Sequence, residues 1–307
     1  MWGYSDAVPF FIWIWCEYYF KLLNAFRIPS QMAKQRLDTL LVELNLCPSR
    51  SLAQRLIQAG EVTVDGMVVD KVGTEVNAIA QIKIKQKSRF VSRGGEKLAK
   101  ALTVFDIHVA GRICLDAGIS TGGFTDCLLQ AGAKLVYGVD VGYGQVDWKL
   151  RNDARVVLRE RTNIRHLTAA DLYNNQHSNP EEYADLIVVD VSFISATKIL
   201  PALWQLSQAP REALLLVKPQ FEVGKERVGK KGVVRDPNDH AEAIFQVWQT
   251  AENLGWGYQG LTWSPITGPA GNIEYLLWLK MESVIPSPEL GEIKELTKSA
   301  VAEIRKQ

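Results

Sequence analysis

At 307 residues with a formal net charge of +1, the chain has room for one large and one small domain, and its total charge points to no polyanionic partner. The distribution is less even, because residues 34–93 carry ten Lys/Arg against six Asp/Glu, a local excess of four positive charges. Cys16, Cys47, Cys114 and Cys127 show no Cys-x-x-Cys spacing, which argues against a zinc site and a disulfide framework and for a reducing cytoplasm.

Residues 1–31 open the chain with a dense apolar stretch, Val8 to Leu23, containing Phe10-Phe11-Ile12-Trp13-Ile14-Trp15 and Tyr18-Tyr19-Phe20 but interrupted by Glu17 and Lys21. It is too short for an uncharged span of about 20 residues. Asp6 ahead of it does not suit a secretory signal. A periodic pattern begins just after Met32, so residues 1–31 are expected to be an upstream extension or a misplaced start, in preference to a membrane-surface anchor.

Residues 32–85 read as a small α+β domain. Leu37, Leu40, Leu41 and Leu44 mark one apolar helix face. Cys47-Pro48-Ser49 breaks it, and Ser49 is expected to cap a second helix that turns Leu52, Leu56 and Ile57 inward and stops at Gly60. Val62-Thr63-Val64, Asp65-Gly66 and Met67-Val68-Val69 form a hairpin pattern, and Ile82-Lys83-Ile84 fits a further strand. Polar, basic residues 86–93 read as a linker.

The large domain is expected over 94–282, followed by a C-terminal helix in 283–307. Apolar runs at Ile113–Ala117, Leu135–Val139, Val156–Leu158, Leu186–Val189, Ala213–Val217 and Tyr275–Leu279 alternate with helical stretches at Phe124–Ala131, Ile194–Leu206 and His240–Leu254. Continuous apolar strands belong to sheets covered on both faces, so the fold class is α/β with a mostly parallel, Rossmann-like sheet. Its ligand is expected outside the carboxyl ends of the strands, where Asp116, Asp140 and Asp190 fall.

The turn Gly118-Ile119-Ser120-Thr121-Gly122-Gly123-Phe124 follows the first of these strands, and Asp140 ends the second, 22 residues after Gly118. Glycines let backbone N–H groups approach a ligand, and an acid at about 20 residues' remove can hold a ribose diol. The Gly-x-x-x-Gly-Gly spacing suits an adenosylmethionine site better than the tight Gly-x-Gly-x-x-Gly turn of NAD enzymes. Glycine alone also serves any tight strand-to-helix junction. His108, His166, His177 and His240 are scattered without ligand spacing, so no metal is expected.

The segment from Ser49-Arg50-Ser51 to Val64-Asp65-Gly66 resembles the small RNA-binding domain first seen in ribosomal protein S-four. Gly-Phe-Thr-Asp at 123–126, Asp-Val-Gly-Tyr-Gly-Gln at 140–145, Glu-Arg-Thr-Asn at 160–163 and Lys-Gly-Val-Val-Arg-Asp-Pro at 231–237 resemble the hemolysin A-like TlyA family. The resemblance covers about residues 33–282, and that family's catalytic domain is similar to FtsJ ribose 2′-O-methyltransferases. It implies S-adenosyl-L-methionine as methyl donor and ribosomal RNA or ribosomal subunits as partner with cytidine as the target; no stable membrane insertion is expected, because the one short apolar segment is interrupted by charge.

The resemblance further implies a catalytic tetrad of Lys97, Asp190, Lys218 and Glu274. Lys218 would be the base on a ribose hydroxyl, Lys97 the like charge that lowers its pKa, and the carboxylates the orienters. The donor would lie on Asp116, Gly118, Ser120, Thr121, Gly122, Gly123 and Phe124, with Asp140 on its ribose and Asp171-Leu172 bracketing adenine. Arg36, Arg50, Arg55 and Lys71 would meet phosphates as sequence-blind charges, joined by the loop of Lys225, Arg227, Lys230, Lys231 and Arg235. The linker lacks the tryptophan-bearing tetrapeptide of some relatives. A membrane-active hemolysin using Phe10–Leu23, and an RNA-binding protein with an inactive methyltransferase domain, are the competing readings.

Overall fold

The computed structural model describes residues 34–85, 88–173 and 183–306. The aromatic segment Phe10–Leu23 lies outside them. The chain divides into two units between Lys87 and Ser88.

In the first unit, strand β1 (Lys34–Arg36) leads directly into helix α1 (Leu37–Glu43), and α2 (Arg50–Gln58) follows. Ser49 caps α2 by accepting the Leu52 N–H at 3.3 Å, the role its residue type predicts. Strands β2 (Val62–Val64) and β3 (Met67–Val69) form the expected hairpin. Asp65 at φ +50° and Gly66 at φ +82° make the turn. Strand β4 (Glu75–Asn77) pairs antiparallel with β1, while β5 (Ile82–Ile84) pairs with β2. Leu37, Leu40, Leu41, Ala53, Ile57, Val62 and Val76 fill a core of their own.

The second unit starts earlier than the linker reading allows. Phe90 is only 2% exposed and packs among the apolar side chains beneath the sheet. The Val91 N–H donates to Asp126 at 2.8 Å. A polar, basic composition hid the one aromatic residue that anchors this segment, so residues 88–93 belong to the larger unit.

That unit runs through α3 (Gly94–Val104), β6 (Ile113–Ala117), α4 (Gly123–Gln130), β7 (Leu135–Val139), β8 (Val156–Arg159), β9 (Leu186–Val189), α5 (Leu200–Gln205), β10 (Glu212–Val217), α6 (Pro237–Glu252), β11 (Gly257–Trp263), β12 (Tyr275–Lys280) and α7 (Leu290–Ile304). The sheet order is β11-β12-β10-β9-β6-β7-β8. Strands β10, β9, β6, β7 and β8 are parallel, and β12 runs against both its neighbours. Side chains of α3 and α4 cover one face, and those of α5, α6 and α7 cover the other. Leu115, Val136, Val188 and Leu215 are therefore fully buried.

One further expectation is corrected. Ile194–Leu206 is a 3₁₀ turn at Ala196–Lys198 followed by α5, whose start accommodates Pro201 where no intrahelical N–H is needed. The C-terminal helix stands within the expected span as α7, and Ile293, Ala300 and Val301 join the core while Thr297 Oγ1 donates to the Pro237 carbonyl at 2.8 Å.

Candidate active site

The crossovers from β6 and β9 leave in opposite directions, because β7 lies on one side of β6 and β9 on the other. Such a switch point opens a crevice at the carboxyl ends of both strands. Gly118 sits there at φ +91°, and a Cβ on it would meet the Asp190 carbonyl oxygen at 2.6 Å. Only glycine lets the loops after β6 and β9 approach this closely. Gly122, at φ +97°, forms the N-cap of α4.

Asp140 ends β7 with its carboxylate fixed by backbone donors, Ser120 N–H on Oδ2 at 2.8 Å and Gly142 N–H on Oδ1 at 2.7 Å. It faces a cavity of about 520 Å³ lined also by Gly118, Ser120, Thr162, Asn163, Ile164, Asp190 and Phe193. A second cavity of about 220 Å³ is lined by Lys97, Thr121, Gly123, Phe124 and Thr267 and shares Gly118, Ser120 and Asp190 with the first. The volume, glycine cradle and immobilised acid suit a nucleoside with a short polar extension.

Around the shared wall stand the four tetrad residues in two ion pairs. Lys97 from α3 meets Glu274 with Nζ to Oε2 at 2.5 Å, and Lys218 from the end of β10 meets Asp190 with Nζ to Oδ1 at 2.6 Å. Lys218 also donates to Ser192 Oγ at 2.8 Å. Both lysines and Glu274 are buried. Gly268 makes room for Glu274, whose Oε1 would lie 2.6 Å from a Cβ at that position.

Not every expected residue reaches the crevice. Asp116 is fully buried beneath the turn, where Oδ2 accepts the Thr125 hydroxyl at 2.6 Å and Oδ1 has no hydrogen-bond partner among the described residues. Burial pushes its pKa up to about 7. It supports the turn and lines neither cavity. Leu172 is in the core, and Asp171 accepts from Thr168 Oγ1 at 2.6 Å. The segment Thr162–Arg165 takes the cavity wall that order along the chain assigned to Asp171-Leu172. Phe193, at φ +64° and 92% exposed, lines the larger cavity without a signal in the sequence.

The basic residues divide in the same way. Arg36 donates to both oxygens of Asp38 at 3.0 Å, Arg50 donates at 2.9 Å, and Gln54 adds a fourth bond at 2.9 Å. Asp38 is 0% exposed. The Arg36 hydrogen bond holds its carboxyl well below the usual carboxylate range. Arg36 and Arg50 remain exposed while pairing with Asp38, and Arg55 and Lys71 are exposed and form no ion pair with a described residue. In the loop after Lys218, Arg227 is tied to Asp239 and Glu242 on α6. Lys225, Lys230 and Lys231 are exposed. Asn272, two residues before Glu274, accepts the Val234 N–H at 3.0 Å and donates to the Gly232 carbonyl at 2.8 Å, fastening this loop beside the tetrad.

Among the described residues no helix is long and apolar enough to cross a membrane. The S4 domain family matches residues 35–82, and the FtsJ-like methyltransferase family matches residues 90–281. The 16S/23S rRNA (cytidine-2′-O)-methyltransferase TlyA of Mycobacterium tuberculosis is 46% identical over 252 residues, 81% of this chain and 91% of that protein. Hemolysin A of Brachyspira hyodysenteriae is 42% identical, covering 78% of this chain and 98% of its own. A Streptococcus thermophilus protein of known structure carrying the hemolysin name superposes with a TM-score of 0.68 at 41% identity, over 90% of this chain and 98% of that one. With a glycine cradle and two lysine–carboxylate pairs on such a sheet, the chain belongs to the FtsJ-like methyltransferases and, among them, to the family of the TlyA and hemolysin A proteins.

Proposed function

We propose that the protein methylates a ribose 2′-hydroxyl of ribosomal RNA, a cytidine as in the Mycobacterium tuberculosis relative's name, and works in the cytoplasm on rRNA or ribosomal subunits. The observation that carries this reading is Asp190, which lines both cavities and pairs with Lys218. S-adenosylmethionine, when bound, supplies an activated methyl group. Asp140 would take its ribose hydroxyls, and the turn Gly118–Gly123 its methionine end.

A ribose hydroxyl is a poor nucleophile until its proton is being removed. Lys218 in its neutral form accepts that proton, and Asp190 and Ser192 hold the amine in place. Lys97, paired with Glu274, lines the smaller cavity, and Phe193 offers an incoming base an aromatic face beside Ser192. Comparing 2′-O-methylation of rRNA from cells with and without the protein tests the assignment, and identical maps would overturn it.

Asp140→Ala should weaken S-adenosylmethionine binding about ten- to hundredfold, because charge-assisted hydrogen bonds are worth about 1.5–3 kcal/mol. Calorimetry is the measurement, and unchanged affinity would remove Asp140 from the donor site. For RNA, Arg55→Ala and Lys71→Ala should each reduce the slope of log affinity against log salt by about 1, without a change of sequence preference. Arg36→Ala should in addition lower the urea midpoint of the small unit, since Asp38 loses a donor. Salt slopes identical to the parent's in the Arg55 and Lys71 variants would end their assignment to phosphate.

A further inference from the structure

Glu222 lies four residues beyond Lys218, on the short helix Pro219–Glu222. Its carboxylate does not touch Lys218. It reaches instead to the loop after β9, the one that carries Asp190 and Ser192. There Oε1 accepts the Ala196 N–H at 2.8 Å and Oε2 accepts the Ser195 hydroxyl at 2.5 Å. Burial pushes its pKa up, opposed by these two donors.

Two other contacts join the same loops. Lys218 Nζ reaches Asp190 and Ser192, and the Phe193 and Phe221 rings stand 5.4 Å apart between centroids. The Phe193 backbone is held at φ +64°, a conformation that a bulky residue keeps only when its surroundings impose it. Beyond Phe193, the Glu222 carboxylate anchors the first turn of the following 3₁₀ helix, Ala196–Lys198. Glu222 therefore closes a ring: Lys218 to Asp190 at the crevice, along residues 190–196, and back through Glu222 to Lys218.

We propose that Glu222 is a positioning residue of the active site, a carboxylate that clamps the loop after β9 to the loop after β10 and so sets the Lys218–Asp190 distance. This rests on the reading of Lys218 as the group that meets the acceptor hydroxyl. Loss of the clamp leaves both side chains present but no longer held together. Since a misplacement of about 1 Å can cost about 10²-fold in rate, the geometry of this pair is a sensitive target. The donor cavity's Asp140 and glycine turn make no contact with Glu222.

The test uses the full-length chain and rRNA lacking the modification. Glu222→Ala should slow single-turnover methyl transfer about 10- to 100-fold, with calorimetric S-adenosylmethionine affinity within about twofold of the parent. Glu222→Gln keeps a carbonyl oxygen for the Ala196 N–H and should recover part of the loss. In a Lys218→Ala background, Glu222→Ala should cost less than about twofold further, because a residue that acts through Lys218 has nothing left to position. Ser195→Ala breaks one of the same bonds from the opposite loop and should lower the rate in the same direction, whatever the folding of the Glu222 variants. Additive losses in the double variant, an unchanged rate, or parallel losses of rate and donor affinity would each overturn the clamp alone. A parent chain that transfers no methyl group to rRNA would overturn the reading of the site, and the clamp with it.

Discussion

Lys218→Ala should bind S-adenosylmethionine almost as the parent does and transfer its methyl group about 10²–10⁴-fold more slowly, the usual worth of a positioned acid–base group. The separation arises because Lys218 lines neither the glycine turn nor the Asp140 side of the crevice; its contacts are Asp190 and Ser192. Lys218→Arg is the sharper test. A guanidinium can keep the ion pair with Asp190 but does not deprotonate in proteins, so it cannot receive the hydroxyl proton. Arginine should therefore restore the pairing and not the rate. Single-turnover transfer to rRNA, with donor affinity measured by calorimetry, decides the matter: an arginine variant with most of the parent's activity would show that a positive charge suffices, and the base would then have to be another group.

The parts of this site that could be read from sequence are those where one residue's chemistry is tied to its place in a strand. Asp140 ends an apolar run after a glycine turn, and that placement alone puts a carboxylate at the switch-point crevice. The five parallel strands are legible because each is dominated by a short apolar run, with charged residues confined to Asp116 and to strand ends. Strand β11 was not, since Gly257-Tyr-Gln-Gly-Leu-Thr-Trp neither alternates nor runs apolar. Its Gly260 leaves space for the Phe105 ring, which would lie 2.8 Å from a Cβ there, a long-range contact with no local signature.

The errors share a cause: sequence shows which groups are charged, but not which partner tertiary folding supplies. Arg36 and Arg50 face solvent as their residue type suggests, but their pairing with the buried Asp38 has no sequence signal. Order along the chain points to Asp171, yet Thr162–Arg165 line the larger cavity and Asp171 does not. That stretch overlaps the Glu-Arg-Thr-Asn motif at 160–163, a signal visible in the sequence that had no role attached to it. Glu222 had no signal at all, because its significance is a bond across two loops 26 residues apart in sequence.

Glu274→Leu should lower folding stability by about 3–5 kcal/mol, the typical cost of leaving one member of a buried ion pair without its partner. Lys97 has little recourse to water: its ammonium lies 2.5 Å from Glu274 Oε2, and the carboxylate side chain is 2% exposed. The same argument predicts that removing both charges costs far less than removing one. A Lys97→Met, Glu274→Leu double variant should recover most of the lost stability, since apolar replacement of a buried pair is often neutral or stabilising. Urea titrations of the parent, both single variants and the double variant give the coupling directly. A Glu274→Leu midpoint close to the parent's would mean that Lys97 escapes to solvent and that the pair is not a buried one. If instead the double variant is stable and transfers no methyl group, then the pair lowers the stability of the fold relative to an apolar core, and what it contributes is the charge that Lys97 places beside Asp190 in the smaller cavity.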